Sequence, residues 1–203
     1  MSIQRQFILP VVYPIITHSP PVADLLSIIG NNPESKEWVF TNYVNIYIDQ
    51  NVRLDNFFNR HNFYYDCPWV FEDHISREIV KKCSNSISQF IIDLLSNNYY
   101  VYLVINKKHI KAYNVNYDKD HNMMIYGYDL DNKQFHIADF FKGSKYSFET
   151  CTFNEIEQAF YDDSIIVNNY YDVVRMFKLK NVTYEFDVDI FKRYLEDHLN
   201  STN

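Results

Sequence analysis

The sequence predicts an α+β protein, with helices first and an antiparallel sheet after them, and three observations carry that prediction. The stretch "DHISREIVKKCSNSISQFIIDLLSNN" holds Ile75, Ile79, Val80, Cys83, Ile87, Phe90, Ile91, Leu94 and Leu95 on one broad helical stripe. From Tyr99 the apolar period becomes two, through "YYVYLVIN", "MMIYGYD" and "FHIADF". "YDLDNKQ" supplies a turn between the last two of these runs, which makes them an antiparallel hairpin.

The elements follow in order. In "SPPVADLLSIIGNN", Ser19 is placed to cap a helix, proline stands near the first helical position and Gly30 closes the end, with Val22, Leu25, Leu26 and Ile29 at helical spacing. "PESKEWVFTNYVNIYIDQ" starts like a helix and drifts into alternation, and residues 50–72, rich in aromatics and turn formers, read as irregular. The long helix then runs to the stop at Asn97-Asn98, and the strands and hairpin follow. "FNEIEQAFYDD" reads as a helix, "SIIVNNYYDVVRMFKLK" as one or two strands, and "DVDIFKRYLEDHLN" as a terminal helix. The expected organisation is one domain over 1–203, mainly helical over 1–98 and a sheet with a terminal helix over 99–203.

Composition removes several function classes. Apolar residues make up 47% of the chain and aromatics 18%, enough to build a core, so a disordered segment is excluded. Net charge is −7 and the basic residues are scattered, which argues against nucleic acid or an anionic membrane as partner. Gly30, Gly127 and Gly143 are the only glycines, so neither a GxGxxG turn nor a Walker A loop is possible. The apolar start from Phe7 to Ile16 is broken by Pro10 and Pro14, and no signal peptide or membrane helix is expected. Cys67, Cys83 and Cys151 show no CxxC spacing, and the simplest compartment for them is a reducing cytoplasm.

The candidate site begins with the hairpin "DHNMMIYGYDLDNKQFHIADF". His121 lies just before its first strand and Asp139 at the end of its second, and those positions are adjacent in an antiparallel pair. A carboxylate beside an imidazole fixes its tautomer and stabilises the imidazolium, the orienting role in nucleophile-His-Asp sites. The same pair is also what a strand-edge histidine bonded to a nearby carboxylate looks like. A nucleophile in such a site belongs at a helix N-terminus, where a thiol loses its proton more readily and backbone N–H groups face an oxyanion. The helix that fits starts at Ser19, which is also an ordinary N-cap, beside His18. Cys67 is the rival nucleophile, in irregular chain; Cys83 and Cys151 read as structural thiols.

Taken with "VADLLSIIGNN", "KEWVFTNYVN", "LLSNNYYVYLVIN" and "YEFDVDIFKRYLEDHL", the hairpin gives the chain a resemblance to the N-terminal acyltransferase domain of butirosin biosynthesis protein H and its relatives. The resemblance spans most of the chain and implies a papain-like cysteine-protease fold. It implies acyl transfer from a carrier-protein thioester to an amine through a Cys-His-Asp triad, as in an amide synthetase of the closthioamide type in natural-product biosynthesis. His121 then matches the general base, Asp139 the residue that orients it, and Ser19 the place of the family's cysteine. That departure admits a native serine nucleophile, an inactive homologue, or a cysteine exchanged for serine to disable turnover; the last is preferred because it keeps the shape and removes thiolate reactivity. Tyr13 stands six residues before Ser19, where such enzymes commonly have an oxyanion-donating glutamine nearby, so helix N–H groups are the expected donors.

The implied chemistry needs no bound cofactor. The acyl group would arrive on the phosphopantetheine of an acyl or peptidyl carrier protein and leave on an amine or diamine. Arg53, Arg60, Arg77, Lys81 and Lys82 are candidates for a basic docking patch. A cysteine peptidase with the same triad and a catalytically inactive binding module of the same fold remain the alternatives.

Overall fold

The computed structural model describes residues 4–43, 47–48, 55–56, 67–164 and 172–200. Its strands are β1 (Gln6–Ile8), β2 (Tyr47–Ile48), β3 (Asp55–Asn56), β4 (Val70–Ser76), β5 (Tyr100–Asn106), β6 (Asp120–Asp129), β7 (Gln134–Phe140), β8 (Tyr146–Thr152) and β9 (Val173–Leu179). Its helices are α1 (Pro20–Ile29), α2 (Ser35–Tyr43), α3 (Arg77–Cys83), α4 (Ile87–Ser96), α5 (Phe153–Tyr161) and α6 (Val188–Asn200). No helix among the described residues is long and apolar enough to cross a membrane.

Seven strands form one antiparallel sheet in the order β4-β9-β5-β6-β7-β8, with β1 added against β6. The ten-residue β6 serves two neighbours on one side: its first half pairs with β5 and its last residues with β1. Where it passes from one to the other, the β6–β7 register slips by one residue between Ile125 and Gly127, a bulge that bends the strand. Gly127 is required there by close approach. A Cβ on it would lie 2.7 Å from the Phe7 carbonyl oxygen and 3.0 Å from the Ile8 Cα.

Helices cover both faces of the sheet. Along β7, Phe135, Ile137 and Asp139 point one way and His136, Ala138 and Phe140 the other, because side chains alternate in a strand. Phe135 meets the ring of Phe153 at the start of α5, with centroids 4.5 Å apart, and Ser96 at the end of α4 bonds Tyr128, the cross-strand partner of Phe135. Phe140 packs instead on Tyr146, whose hydroxyl donates to Asp24 of α1 at 2.8 Å. So α4 and α5 cover one face and α1 the other. Buried side chains on both faces, from Leu25 and Ile28 to Ile91, Ile156 and Phe160, make one core.

The α+β class stands, while the segregation of helices from strands is only partial. β1 and β4 lie in the N-terminal half and join the sheet. The expected long helix over 73–98 is a strand and two helices: "DHIS" belongs to β4, paired along its length with β9, and a break at 84–86 separates α3 from α4. Ser86 makes that break by capping α4, accepting from the Gln89 N–H, while Ser84 closes α3 through its N–H to the Val80 carbonyl. Cys83 is consequently exposed at the end of α3, off the buried stripe on which the periodicity placed it. The start of β4 likewise corrects the irregular reading at residues 70–72; most of 50–66 lies outside the described residues. α1 is buried all round from Val22 to Ile29, Asp24 and Ser27 included, where a one-sided helix was expected. Gly30 ends it in right-handed backbone, and its lack of a side chain answers Val12, whose side chain would sit 2.4 Å from a Cβ.

Candidate functional site

The strand pairing explains why His121 and Asp139 meet. Met124 lies opposite Ala138, so Asp139 is diagonal to His121 on the same face, within reach of an imidazole. His121 is the second residue of β6 rather than a residue ahead of it, and faces Ile105 of β5. Its Nε2 lies 2.8 Å from Asp139 Oδ2. The carboxylate is fully buried, while the imidazole keeps 27% of its side-chain surface.

Three donors hold the Asp139 carboxylate in place. Oδ1 accepts the Phe140 N–H at 2.7 Å, and Oδ2 accepts the Tyr113 hydroxyl as well as the imidazole. A carboxylate partner assigns the imidazole proton to Nε2, which leaves the Nδ1 lone pair to take a proton from a reacting group. Tyr113 also places its ring edge-on to His121, with centroids 5.5 Å apart. Burial first, and then the Asp139 charge, push the Tyr113 phenol well above its ordinary value, so it stays a donor.

Tyr113 sits on a 3-10 turn, Lys111–Tyr113, that ends in left-handed backbone at Asn114. The turn is pinned from α5. Glu155 Oε1 accepts the Lys111 N–H at 2.9 Å, and its Oε2 accepts the Thr152 N–H at 2.8 Å and hydroxyl at 2.7 Å, the capping box of α5.

Ser19 precedes α1 in extended backbone (φ −150°, ψ 151°), and its side chain makes no capping bond. Its carbonyl accepts the Ala23 N–H at 3.0 Å. Pro20 and Pro21 open the helix and have no N–H, so the first turn lacks two of the donors expected to face an oxyanion. Asp24, five residues on, reaches Tyr146 at the end of the sheet where the His121–Asp139 pair lies. It does so on the opposite face, and among the described residues no hydrogen bond joins Ser19 to His121 or Asp139. The structure therefore brings two of the three expected site residues together.

The remaining candidates sort by burial. Cys67 is buried, and burial pushes its thiol up to about 12, which removes it as a nucleophile at neutral pH. Cys151 is buried and raised in the same way, with the Glu155 charge adding to the effect. Burial lowers His18, and Tyr13 is exposed with its ring edge-on to Tyr146. Arg77 is not a docking residue: it is buried, donates to the Val104 carbonyl at 2.6 Å and to the Phe160 carbonyl, and stacks over the Phe160 ring. Lys81 pairs with Asp163 at 2.7 Å, Lys82 is exposed, and Arg53 and Arg60 lie outside the described residues.

Two groups escaped the reading of the sequence. Tyr113 is one of eighteen tyrosines, and nothing in its spacing from Asp139 marks it. Asp24 is wholly buried inside α1 with Oδ2 unpartnered; burial and then the Asp139 charge raise its carboxyl well above the ordinary range. The one signal for it was an aspartate amid the apolar run "VADLLSII". A second His-Asp pair, His109 Nε2 to Asp162 Oδ2 at 2.6 Å, ties the turn after β5 to the end of α5.

No family model, curated protein or solved structure matches the chain.

Proposed function

We propose that the chain is an acyl-transfer enzyme in which His121, oriented by Asp139, acts as general base for a nucleophile at position 19. The observation that carries this reading is the dyad itself: a partly exposed imidazole bonded at 2.8 Å to a fully buried carboxylate, with Nδ1 turned to no protein partner among the described residues. The resemblance to the acyltransferase domain supplies the substrates. The residue 19 side chain attacks the carbonyl of a carrier-bound thioester, giving up its proton to His121, and the carrier thiolate leaves with that proton. An amine then attacks the acyl-enzyme and loses its proton to His121, which hands it to the residue 19 side chain as that group leaves and the amide forms. Thioester exchange is nearly balanced and amide formation runs downhill, so the sequence of steps requires no nucleotide.

Ser19→Cys tests the reading. Incubated with an acyl thioester, that protein should gain one acyl group by intact mass and lose it as amide when a diamine is added. Hydrolysis alone in both tubes would make it a hydrolase of peptidase type. His121→Ala in the Ser19→Cys background should then abolish acylation without lowering Tm by more than a few degrees.

A second reading has its own support. Two prolines remove two N–H donors from the first turn of α1, and among the described residues no hydrogen bond joins Ser19 to the dyad. This favours a binding module that keeps the polar pair for its shape. Absence of any acyl adduct in Ser19→Cys, with the fold intact, would establish it over the enzyme.

A further inference from the structure

We infer that Tyr113 is a positioning residue for His121, acting through Asp139, and that Glu155 on α5 sets it in place. The inference deepens the acyl-transfer reading where that holds, yet its geometry stands without a nucleophile. Asp139 Oδ2 is a shared acceptor: the Tyr113 hydroxyl and the His121 imidazole both donate to it. The other oxygen is fixed by the Phe140 N–H. With three donors in place the carboxylate has no freedom to rotate, and the imidazole bonded to it inherits that orientation.

The Tyr113 ring adds a second constraint by standing edge-on against the imidazole and tilted on Phe141, with centroids 5.5 Å and 4.9 Å away. Tyr113 is itself buried, so its hydroxyl has no water to exchange for Asp139. Its backbone is held at one remove: Glu155 grips the Lys111 N–H with one oxygen and the Thr152 cap with the other. A chain of bonded groups thus runs from the first turn of α5 through the 3-10 turn to the base.

The shared oxygen gives a test that needs no substrate. In protein labelled with 15N-histidine, the His121 Nε2 proton should give a downfield resonance. Tyr113→Phe removes the competing donor, so the remaining bond to Oδ2 tightens and this resonance should move further downfield. Tyr128→Phe, which also deletes a buried tyrosine hydroxyl, bonded to Ser96, should leave it in place. Glu155→Ala keeps the Tyr113 ring and hydroxyl and frees their backbone; it should move the same resonance, and it serves in place of Tyr113→Phe should that protein not fold. A His121 Nε2 resonance that is unchanged in the folded variant overturns the inference.

Turnover separates this outcome from the fate of the acyl-transfer reading. In Ser19→Cys protein supplied with an S-acetyl-N-acetylcysteamine thioester, adding Tyr113→Phe should lower kcat about tenfold at unchanged KM, the effect of one hydrogen bond on an oriented base. A moved resonance in a protein that forms no acyl-enzyme sinks the enzyme reading and leaves the positioning role standing. A full kcat in Tyr113→Phe refutes that role.

Discussion

Single residues decide more here than their neighbours in sequence suggest. Gly127 is needed for its missing side chain, because β1 crosses β6 so closely that a Cβ has no room against the Phe7 carbonyl and the Ile8 Cα. Gly127→Ala should cost about 1–3 kcal/mol, as overpacking against backbone does, and a denaturant midpoint measurement checks it. His121 and Asp139 were visible in the sequence as the polar ends of one hairpin, since antiparallel pairing makes those ends neighbours. Tyr113 was not, because it reaches the same carboxylate from a turn that only the folded chain brings there. Cys67 shows the converse: in irregular chain it reads as a rival nucleophile, and burial pushes its thiol up to about 12.

At the scale of elements, local capping and long-range pairing overruled periodicity between 73 and 98. The apolar stripe through Ile75 and Ile79 fits a helix, yet Ile75 lies opposite Val174 in β9 and the helix begins only at Arg77. The β4–β9 ladder fixes seven residues of β4, which outweighs the modest helical preference of "DHIS". Ser86 then begins a new helix, and its hydroxyl both accepts from Gln89 and donates to Glu157 of α5. Ser86→Ala should therefore destabilise the protein by about 1–2 kcal/mol, more than an isolated cap, as read by urea unfolding. A loss below a few tenths of a kcal/mol would mean that Glu157, through the Ser88 N–H at 2.9 Å, holds the start of α4 alone.

Across the whole molecule, the two polar clusters sit back to back through the sheet, and their charges meet. Asp24 on the α1 face is raised by burial and by Asp139 on the other face, so it is protonated in the folded state over a range where the unfolded chain ionises. Between its ordinary value of 3.8 and its raised one, the folded state binds the extra proton, so this group makes stability fall as pH rises. Asp118, Asp162 and Asp163 act the other way: hydrogen bonds lower them, and the stability they add above about pH 4 is lost as pH falls through their lowered values. Asp24→Asn removes only the first effect and keeps an oxygen for the Tyr146 hydroxyl. Its Tm relative to the parent protein should climb as pH rises from about 4, and a flat difference would show that the Asp24 carboxyl is not raised in the folded protein.

The sequence by itself determined the α+β class, the hairpin and the meeting of His121 with Asp139, because strand alternation, turn residues and antiparallel register are local rules. It also placed a helix at Pro20–Ile29 with Ser19 before it. Tertiary structure alone decided that β1 and β4 enter the sheet, that helices cover both of its faces, and that Asp24 of α1 reaches Tyr146 on the face opposite Asp139. The reason is physical: which face a strand residue takes follows from period two, but which helix covers that face depends on contacts between segments far apart in the chain. Buried charge follows the same division, since the carboxyl of an aspartate in "VADLLSII" is raised only when the fold buries it and brings Asp139 near.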